Sequence, residues 1–446
     1  MDKQTNLMTE GNILKKIFFF SVPLILGNLF QQLYNTVDSI IVGNYVGKGA
    51  LAAVGSSTST INLLIAFSQG AAVGAGVVIA QYLGAKEKQK VEEAVHTAMG
   101  IAIALGMILT VLGIALSGTI LRLMDTPGDV IEQSNLYLKI YFAGVVFNVI
   151  YNMGAGILNA AGNSKRSLIY LCYASVINIV LDLLLIRVLK MGVEGAAIAT
   201  DISQIASSVF VVAYLMRTRE DYKIQLKKLK IHKNMAYGII KVGLPTGIQN
   251  MVISFSNVLV QSSVNGYGSS AVAGFGAYTK VDGFNILPVM SFSMAVTTFT
   301  GQNIGAGKID RVKKGMWITM AMGVVYTITT GCLLMIFSKP IMRLFTQDKE
   351  VIEYGRQAMY YFCPFYFMLS IMHALAGTIR GTGKSIPPMI ILLTSLCVFR
   401  VIWIIFVLPH FSAIDGIFVL YPVSWAVGLV LMILYAWKGK WLLKQI

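Results

Sequence analysis

The stretch QYLGAK at residues 81–86 returns in altered form as QNIGAG at residues 302–307. A larger set of residues matches at nearly the same displacement: Pro23 with Pro245, Arg122 with Arg343, Gly162 with Gly383 and Glu194 with Asp415. The register holds over almost the whole chain. This pattern predicts two structural repeats that derive from one ancestral unit.

Composition places these repeats in a membrane. The chain has 446 residues, of which 56% are hydrophobic and 13% are charged, whereas soluble domains carry about 25% charged residues. The apolar runs are long enough to cross roughly 30 Å of hydrocarbon at about 1.5 Å per helical residue. They predict twelve transmembrane helices at residues 14–42, 51–83, 93–117, 131–158, 167–188, 193–216, 236–264, 271–304, 313–337, 351–379, 386–408 and 414–437.

The predicted fold class is an all-α membrane protein with two pseudo-symmetric six-helix bundles. We expect residues 1–216 to form the first bundle, residues 217–235 a basic linker, and residues 236–446 the second bundle. Because six is even, both halves start on the same side of the membrane, an arrangement typical of alternating-access carriers.

Lysine and arginine predict the orientation. They concentrate in the linker and in the loops that share a side with it, so the positive-inside rule places this side and both termini in the cytoplasm. The formal charge of +16 then reflects topology rather than nucleic-acid binding. The sequence predicts a multi-pass protein of a bacterial plasma membrane.

Cysteine and histidine spacing points away from cofactor chemistry. The four cysteines and four histidines are scattered, with neither metal-ligand nor disulfide-framework spacing. The sequence also shows no nucleophile–base arrangement, so we expect no enzyme and no bound cofactor.

The two repeats differ where the first keeps polar side chains. Asp38 aligns with Val260, Asn178 with Phe399, Asp182 with Trp403, and Thr200 with Tyr421. An intramembrane carboxylate costs about 2.5–3.5 kcal/mol on insertion scales, so it usually has a partner and a function. All four residues fall in the outer half of the membrane, and their oxygen atoms suit a hard cation or a proton. They predict a coupling site for Na⁺ or H⁺ and no other metal site; the alternative is separate satisfaction of each group by backbone carbonyls or water.

Substrate contacts are predicted from polar positions in helices rich in methionine and aromatic residues. The sequence has 22 Met, 22 Phe and 20 Tyr, side chains that adapt to varied ligands and hold organic cations, although core packing and lipid contact explain most of them. The predicted cavity residues are Gln31, Tyr34, Asn152 and Met153 in the first half, and Asn250 and His373 in the second.

Other intramembrane charges have a structural interpretation. We expect Lys280, Asp282 and Arg400 to form an ion pair within the second half, with a second coupling or substrate site as the alternative. Asp201 directly follows Thr200 and points about 100° away from it on a helix, so we expect a structural role.

These features resemble the multidrug and toxic compound extrusion (MATE) family. The resemblance rests on Pro23 and on QQLYNTVDSIIVG (31–43), ALAAVG (50–55), QYLGAK (81–86), GILNAAGNSKR (156–166), GVEGAAIAT (192–200) and GQNIGAG (301–307). It implies two six-helix bundles around a V-shaped cavity, and export of cationic or amphiphilic compounds in exchange for Na⁺ or H⁺.

The resemblance also implies a branch and a set of site residues. In the DinF-like branch the first bundle carries the coupling site, at positions that match Asp38, Asn178, Asp182 and Thr200. Pro23 matches the proline at which the first helix bends, and it is predicted as a hinge. The NorM-like branch has acidic residues on helices seven and ten, where this sequence offers Gln249, Asn250 and His373.

The predicted function is a secondary active antiporter, monomeric in the bilayer, that exports amphiphilic or cationic drugs or metabolites. The alternative is a flippase for lipid-linked oligosaccharides or lipids from the same wider superfamily. Such a flippase needs buried cationic groups for a pyrophosphate, and the first half has no cluster of that kind. A channel is disfavoured because the acidic set occurs in one half alone.

Overall fold

The computed structural model describes residues 7–124, 126–411, 413–438, 441 and 442. Within these residues the regular structure is helical, with twelve long segments named α1 to α12. Their bounds are α1 Ile13–Tyr45, α2 Lys48–Gly84, α3 Lys88–Leu123, α4 Gly128–Ala160, α5 Ser164–Val188, α6 Val193–Arg217, α7 Lys233–Asn265, α8 Ser269–Gly305, α9 Ile309–Ile336, α10 Lys349–Gly381, α11 Ile386–His410 and α12 Asp415–Lys438. A short helix, Ser338–Arg343, lies between α9 and α10. The predicted all-α fold is confirmed.

Ten of the described segments are long and apolar enough to cross a membrane. The other two, α7 and α8, have 33 and 37 residues, which is ample length, but they are more polar. Several helices start before the predicted apolar runs, as α3 does at Lys88 instead of residue 93. The apolar run marks the part of a helix in hydrocarbon, and the helix continues into the polar interface. Residues 1–6 and 443–446, which include the termini that we predicted to be cytoplasmic, lie outside the described residues.

The helices form two units, each with its own hydrophobic core. The first unit contains Val22–Met251, and the second contains Met8–Ser21 together with the chain from Val252 onwards. In the first unit α4 is central and packs against α2, α3 and α6. In the second unit α10, the repeat equivalent of α4, packs against α8, α9 and α12. The boundary between the units falls inside α1 and α7, so each of these helices contributes to both.

Close glycine packing attaches the beginning of α7 to the first unit. A Cβ atom added at Gly74 of α2 would lie 2.3 Å from the carbonyl oxygen of Ile239 and 2.7 Å from the backbone nitrogen of Gly243. One added at Gly70 would lie 2.5 Å from the backbone of both Gly243 and Gly247. Glycines four residues apart share a helix face, and such small-residue faces let membrane helices approach backbone to backbone.

The residues before α1 and before α7 are tied to their own units by hydrogen bonds. In the second unit Met8 donates its backbone N–H to Oε1 of Gln302 at 2.7 Å, and Arg311 donates to the carbonyl oxygens of Met8 and Gly11 at 3.1 and 3.0 Å. In the first unit the linker residue Lys228 pairs with Glu92 of α3 at 2.7 Å. Each of these segments is therefore held by polar contacts within its own unit.

Two of the described helices contain a π-helical turn within the span. The α-helical part of α5 ends at Asp182 and continues as a π-helical turn, Leu183–Val188. In α11 the equivalent region also contains a π-helical turn, Trp403–Val407. π-helical turns inside α-helices occur frequently at functional sites. Because the turn in α5 begins directly after Asp182, this residue is a candidate functional residue.

Candidate coupling site and polar pocket

Two buried carboxyl groups meet in the first unit. Asp38 of α1 is 8% exposed and Asp182 of α5 is 0% exposed, and their side chains are close enough to hydrogen-bond to each other. Asn178 lies one helical turn before Asp182 on the same face of α5 and is 1% exposed. The structure thus brings together two carboxyl groups from helices that are distant in sequence.

Several polar atoms of these groups find no hydrogen-bond partner among the described residues outside the pair. Asp38 Oδ1, both carboxyl oxygens of Asp182 and both amide atoms of Asn178 are buried without a hydrogen bond. A buried polar atom without a partner costs about 1–3 kcal/mol, and more when it is charged. Two adjacent ionised carboxylates also repel each other. A proton or a hard cation between the carboxyl groups relieves both penalties, so the donor set fits either ion.

A polar pocket in the first unit contains Asn178 in its lining. Three of the predicted substrate residues, Gln31, Tyr34 and Asn152, line the same pocket. The other lining residues are Asn148, Tyr151, Leu171, Ala174, Ser175, Ser203, Gln204 and Ser207. Asn178 therefore lines the pocket and lies one helical turn from Asp182.

Thr200 and Met153 are placed differently from this group. Thr200 is half-buried on α6, where its carbonyl oxygen accepts a hydrogen bond from Ser203 at 2.7 Å; among the described hydrogen bonds none joins it to Asp38 or Asp182. Met153 is 0% exposed in the hydrophobic core. It follows Asn152 by one residue, about 100° around the helix, so the two side chains face different surroundings.

The remaining predicted residues belong to different parts of the chain. Asn250 of α7 is in the first unit, whereas His373 of α10 is buried in the second, where its carbonyl oxygen accepts from Ser293 at 2.8 Å. Pro23 lies inside α1, directly after the boundary between the units.

Sequence reasoning missed the polar face of α6. Thr200, Ser203, Gln204 and Ser207 follow the i, i+3, i+4, i+7 spacing of one helix face, and the last three line the pocket. That spacing was visible in the sequence, but the comparison of repeats emphasised charged residues.

The predicted ion pair in the second unit is wrong. Tyr366 donates its hydroxyl to Asp282, and the hydroxyl groups of Tyr278 and Tyr366 are hydrogen-bonded to each other. Lys280 is exposed. No ion pair joins Asp282 to Lys280 or Arg400 in the described part of the chain.

Arg400 also finds neutral partners. Its guanidinium donates to Asn257 Oδ1 at 3.2 Å and to Ser424 Oγ at 3.3 Å, and it lies 4.4 Å from the ring centre of Tyr421. Hydroxyl, amide and aromatic groups therefore make the direct contacts with Arg400, and Asp282 attracts it only at longer range.

Tyr366→Phe is expected to destabilise the protein, because it removes the hydroxyl donor to Asp282. Leaving such an acceptor unsatisfied costs about 1–3 kcal/mol, so the unfolding temperature in detergent should fall by several degrees. Tyr237→Phe is the matched control, since the Tyr237 side chain is exposed. Equal unfolding temperatures for the two variants would show that the Tyr366 hydroxyl contributes nothing.

Comparison with known proteins identifies the family. The sequence model of the MatE family matches residues 23–184 and, a second time, residues 245–405. The chain belongs to the MatE family. The double match confirms the internal repeat, and family membership makes the chain a multi-pass membrane transporter and not an enzyme.

Relatives of this MatE chain include named drug-resistance proteins. The probable multidrug resistance protein YoeA of Bacillus subtilis (strain 168) is 31% identical, with 98% of this chain and 96% of YoeA aligned. The probable multidrug resistance protein NorM of Thermotoga maritima is 28% identical over 86% of this chain and 83% of its own length. The multidrug export protein MepA of Staphylococcus aureus is 24% identical, with 86% and 85% covered.

Solved structures confirm the fold of this MatE chain. A multidrug resistance MATE family transporter of the MOP superfamily in an outward-facing conformation superposes with a TM-score of 0.91, at 24% identity over the full length of both chains. A MOP superfamily transporter from Pyrococcus furiosus superposes with a TM-score of 0.90 at 23% identity, again over both full chains.

Proposed function

We propose that this MatE-family transporter is a secondary active antiporter that exports amphiphilic or cationic drugs or metabolites in exchange for H⁺ or Na⁺. The observation that carries the proposal is the buried pair Asp38 and Asp182, which lacks other partners and adjoins Asn178 of the polar pocket. The names of YoeA, a probable multidrug resistance protein, and of MepA, a multidrug export protein, support drug-like substrates.

In the proposed mechanism Asp38 and Asp182 hold the coupling ion, and Asn178 and Thr200 complete its surroundings. Substrate binds at the pocket lined by Gln31, Tyr34 and Asn152, which has a volume of about 30 Å³ in this conformation and must widen to admit it. Coupling requires that ion and substrate prefer different conformations of the protein. Asn178 belongs both to the proposed ion site and to the pocket lining. Ion and substrate therefore compete for the same side chain.

Pro23 supplies the proposed hinge. Proline removes one backbone hydrogen bond inside a helix and weakens it there, and Asp38 lies further along the same helix, α1. Binding of an ion at Asp38 therefore acts on a helix that bends at low cost. We propose that ion occupancy biases this bend and thereby changes the pocket.

The proposal also includes the branch of the family, the repeat boundaries, the topology and the oligomeric state. We place the chain in the DinF-like branch, because the carboxyl pair is in the first repeat and α7 and α10 carry Gln249, Asn250 and His373. We take 1–216 and 236–446 as the repeat halves, with 217–235 as a cytoplasmic linker and both termini on that side. We take the working transporter as a monomer in a bacterial cell membrane. The flippase alternative gains no support from the pocket, whose described lining contains no lysine or arginine.

Reconstituted vesicles test the proposal directly. Purified protein is placed in liposomes, and ethidium movement is followed under an imposed Na⁺ gradient, an imposed pH gradient, or neither. Accumulation of ethidium against its own gradient under one imposed gradient supports the antiporter and identifies the ion. Absence of gradient-driven movement for ethidium and a panel of other organic cations would contradict multidrug export.

Pro23→Ala is expected to stabilise α1 and to slow transport. Restoring a backbone donor inside a helix recovers up to about 3 kcal/mol, so the unfolding temperature should rise while the ethidium transport rate falls at least several-fold. Pro422→Ala in α12 is the control and should leave the transport rate unchanged. A Pro23→Ala variant that transports at the wild-type rate would exclude the hinge.

A further inference from the structure

A cleft between α3 and α4 lies outside the coupling site. It has a volume of about 210 Å³ and lies near the end of α3 and the start of α4. By a comparable measure one water molecule needs about 10–15 Å³, so the cleft has room for a group the size of a phosphate. Two basic side chains line it, Arg122 from α3 and Lys139 from α4.

Hydrogen-bonding side chains complete the lining. Ser117 donates to Oδ1 of Asn135 at 2.7 Å, which directs the NH₂ group of Asn135 away from that bond. Thr119 and Asn135 line the same cleft as the two basic residues. Two cations together with amide and hydroxyl donors are the groups that recognise phosphate oxygens.

The two cations have no carboxylate partner among the described side chains. Neither Arg122 nor Lys139 occurs in an ion pair there, and the described lining of the cleft contains no acidic residue. Lys139 lies roughly 16 Å along α4 from its first residue. Lys139 and Arg122 are both exposed, so an external anion can reach their charged groups.

The second repeat has an ion pair in the same region. Asn135 aligns with Arg356 and Lys139 aligns with Tyr360. Arg356 pairs with Glu353 at 2.7 Å and lies 5.9 Å from the ring centre of Tyr360. The second unit therefore pairs Arg356 with one of its own carboxylates, whereas no described carboxylate forms an ion pair with Arg122 or Lys139 in the first unit.

The surroundings of the cleft favour a lipid over a free ion. Leu112 and Leu116 of α3 and Leu136 of α4 are exposed, and they lie within two turns of the cleft residues on the same helices. Exposed leucines on a transmembrane helix are suited to contact with acyl chains. A phosphate at Arg122 and Lys139 would thus be continuous with an apolar surface for the chains attached to it.

We propose that the cleft formed by Ser117, Thr119, Arg122, Asn135 and Lys139 binds the phosphate of an anionic phospholipid headgroup. The leucines beside it hold the proximal part of the acyl chains. The site does not depend on the coupling ion or on the transported substrate.

Lipid titration of the whole purified protein tests this site. Native mass spectrometry measures the fraction of protein that carries one added lipid, with phosphatidylglycerol and phosphatidylcholine of the same acyl chains. A single basic residue near an anionic surface changes affinity about fivefold, so the double variant Arg122→Gln with Lys139→Gln should bind phosphatidylglycerol about 30-fold more weakly. Its affinity for phosphatidylcholine should stay unchanged, which also shows that the variant is folded. Arg343→Gln, at the equivalent position in the second repeat, should bind both lipids as the wild type does.

Each outcome decides the proposal. A double variant that binds phosphatidylglycerol as tightly as the wild type overturns it, and so does an equal loss in Arg343→Gln. Displacement of phosphatidylglycerol by inorganic phosphate at equal concentration would assign the site to a free phosphate ion and overturn the lipid. Should the double variant fail to fold, the single variant Lys139→Gln decides through its expected fivefold loss.

Discussion

Replacing Asp182 by asparagine is expected to abolish ion-coupled export while the protein stays folded. Asparagine has nearly the same shape but cannot offer a negative charge or take part in sharing a proton with Asp38. A hydrogen bond to a charged group contributes about 1.5–3 kcal/mol, which corresponds to a loss of about 10- to 150-fold in ion affinity at this site. The unfolding temperature should stay the same or rise, because one of two adjacent buried carboxyl groups is removed.

The measurement is the initial rate of ethidium transport in vesicles under the driving gradient, at equal protein content. Asp38→Asn should match Asp182→Asn. The double variant should be no worse than either, because residues that act as one unit lose their function together. If the variants still bind ethidium, their loss of transport results from lost coupling and not from a damaged pocket.

Asp201→Asn provides the matched control, because it also removes an intramembrane carboxyl group of the first unit. Asp201 points at Gly144 of α4, where an added Cβ atom would lie 2.2 Å from the carboxyl carbon. It is not part of the carboxyl pair, so its loss should leave the transport rate near the wild-type value. Normal transport by Asp182→Asn, or a greater loss in Asp201→Asn, would place the coupling site elsewhere.

Gly74→Ala is expected to be among the most destabilising single substitutions in the first unit. Its new methyl group would lie 2.3 Å from the carbonyl oxygen of Ile239. Because the obstructing atoms belong to a backbone, no change of rotamer can relieve the contact, and α2 and α7 must separate. Overpacking typically costs about 1–3 kcal/mol, and we expect the upper end of that range or more.

The unfolding temperature in detergent is the readout, and Gly55→Ala on the same helix is the control. An added Cβ at Gly55 meets nothing within 4 Å. Both substitutions gain up to about 1 kcal/mol of helix propensity, so their difference isolates the contact with α7. If Gly74→Ala unfolds at the same temperature as Gly55→Ala, the close approach of the two helices is not required for stability.

Much of the architecture was predictable because hydrophobic runs and a repeated motif are strong signals in a membrane chain. Asp38 and Asp182 also stood out, since carboxyl groups are rare in hydrocarbon, and the structure places the two together. The direction in which each helical side chain points was harder to predict. Asn152 lines the pocket and Met153 packs in the core, although they are neighbours in the sequence. The partners of Asp282 were not predictable from charge, because tyrosine hydroxyl groups replace the expected cation.

The boundaries of the two packing units could not be predicted from the sequence for a different reason. Hydropathy identifies whole helices, but it does not show that the beginning of α7 packs on α2 through backbone contacts at Gly70 and Gly74. Nor does it show the π-helical turn after Asp182, since the residues Leu183–Val188 are as apolar as those of an ordinary helix. Such features depend on tertiary packing rather than on local composition.

The division of α1 between the two units also determines the order in which the protein can be completed during synthesis. Met8–Ser21 leave the ribosome before the first unit is made, yet they belong to the second unit, whose other residues begin at Val252. Chains are made at about 5–20 residues per second, so this segment waits on the order of ten seconds or more for its partners. The first unit can close as soon as the start of α7 has been made. Early truncations should therefore yield a packed first unit with the start of α1 unprotected from protease.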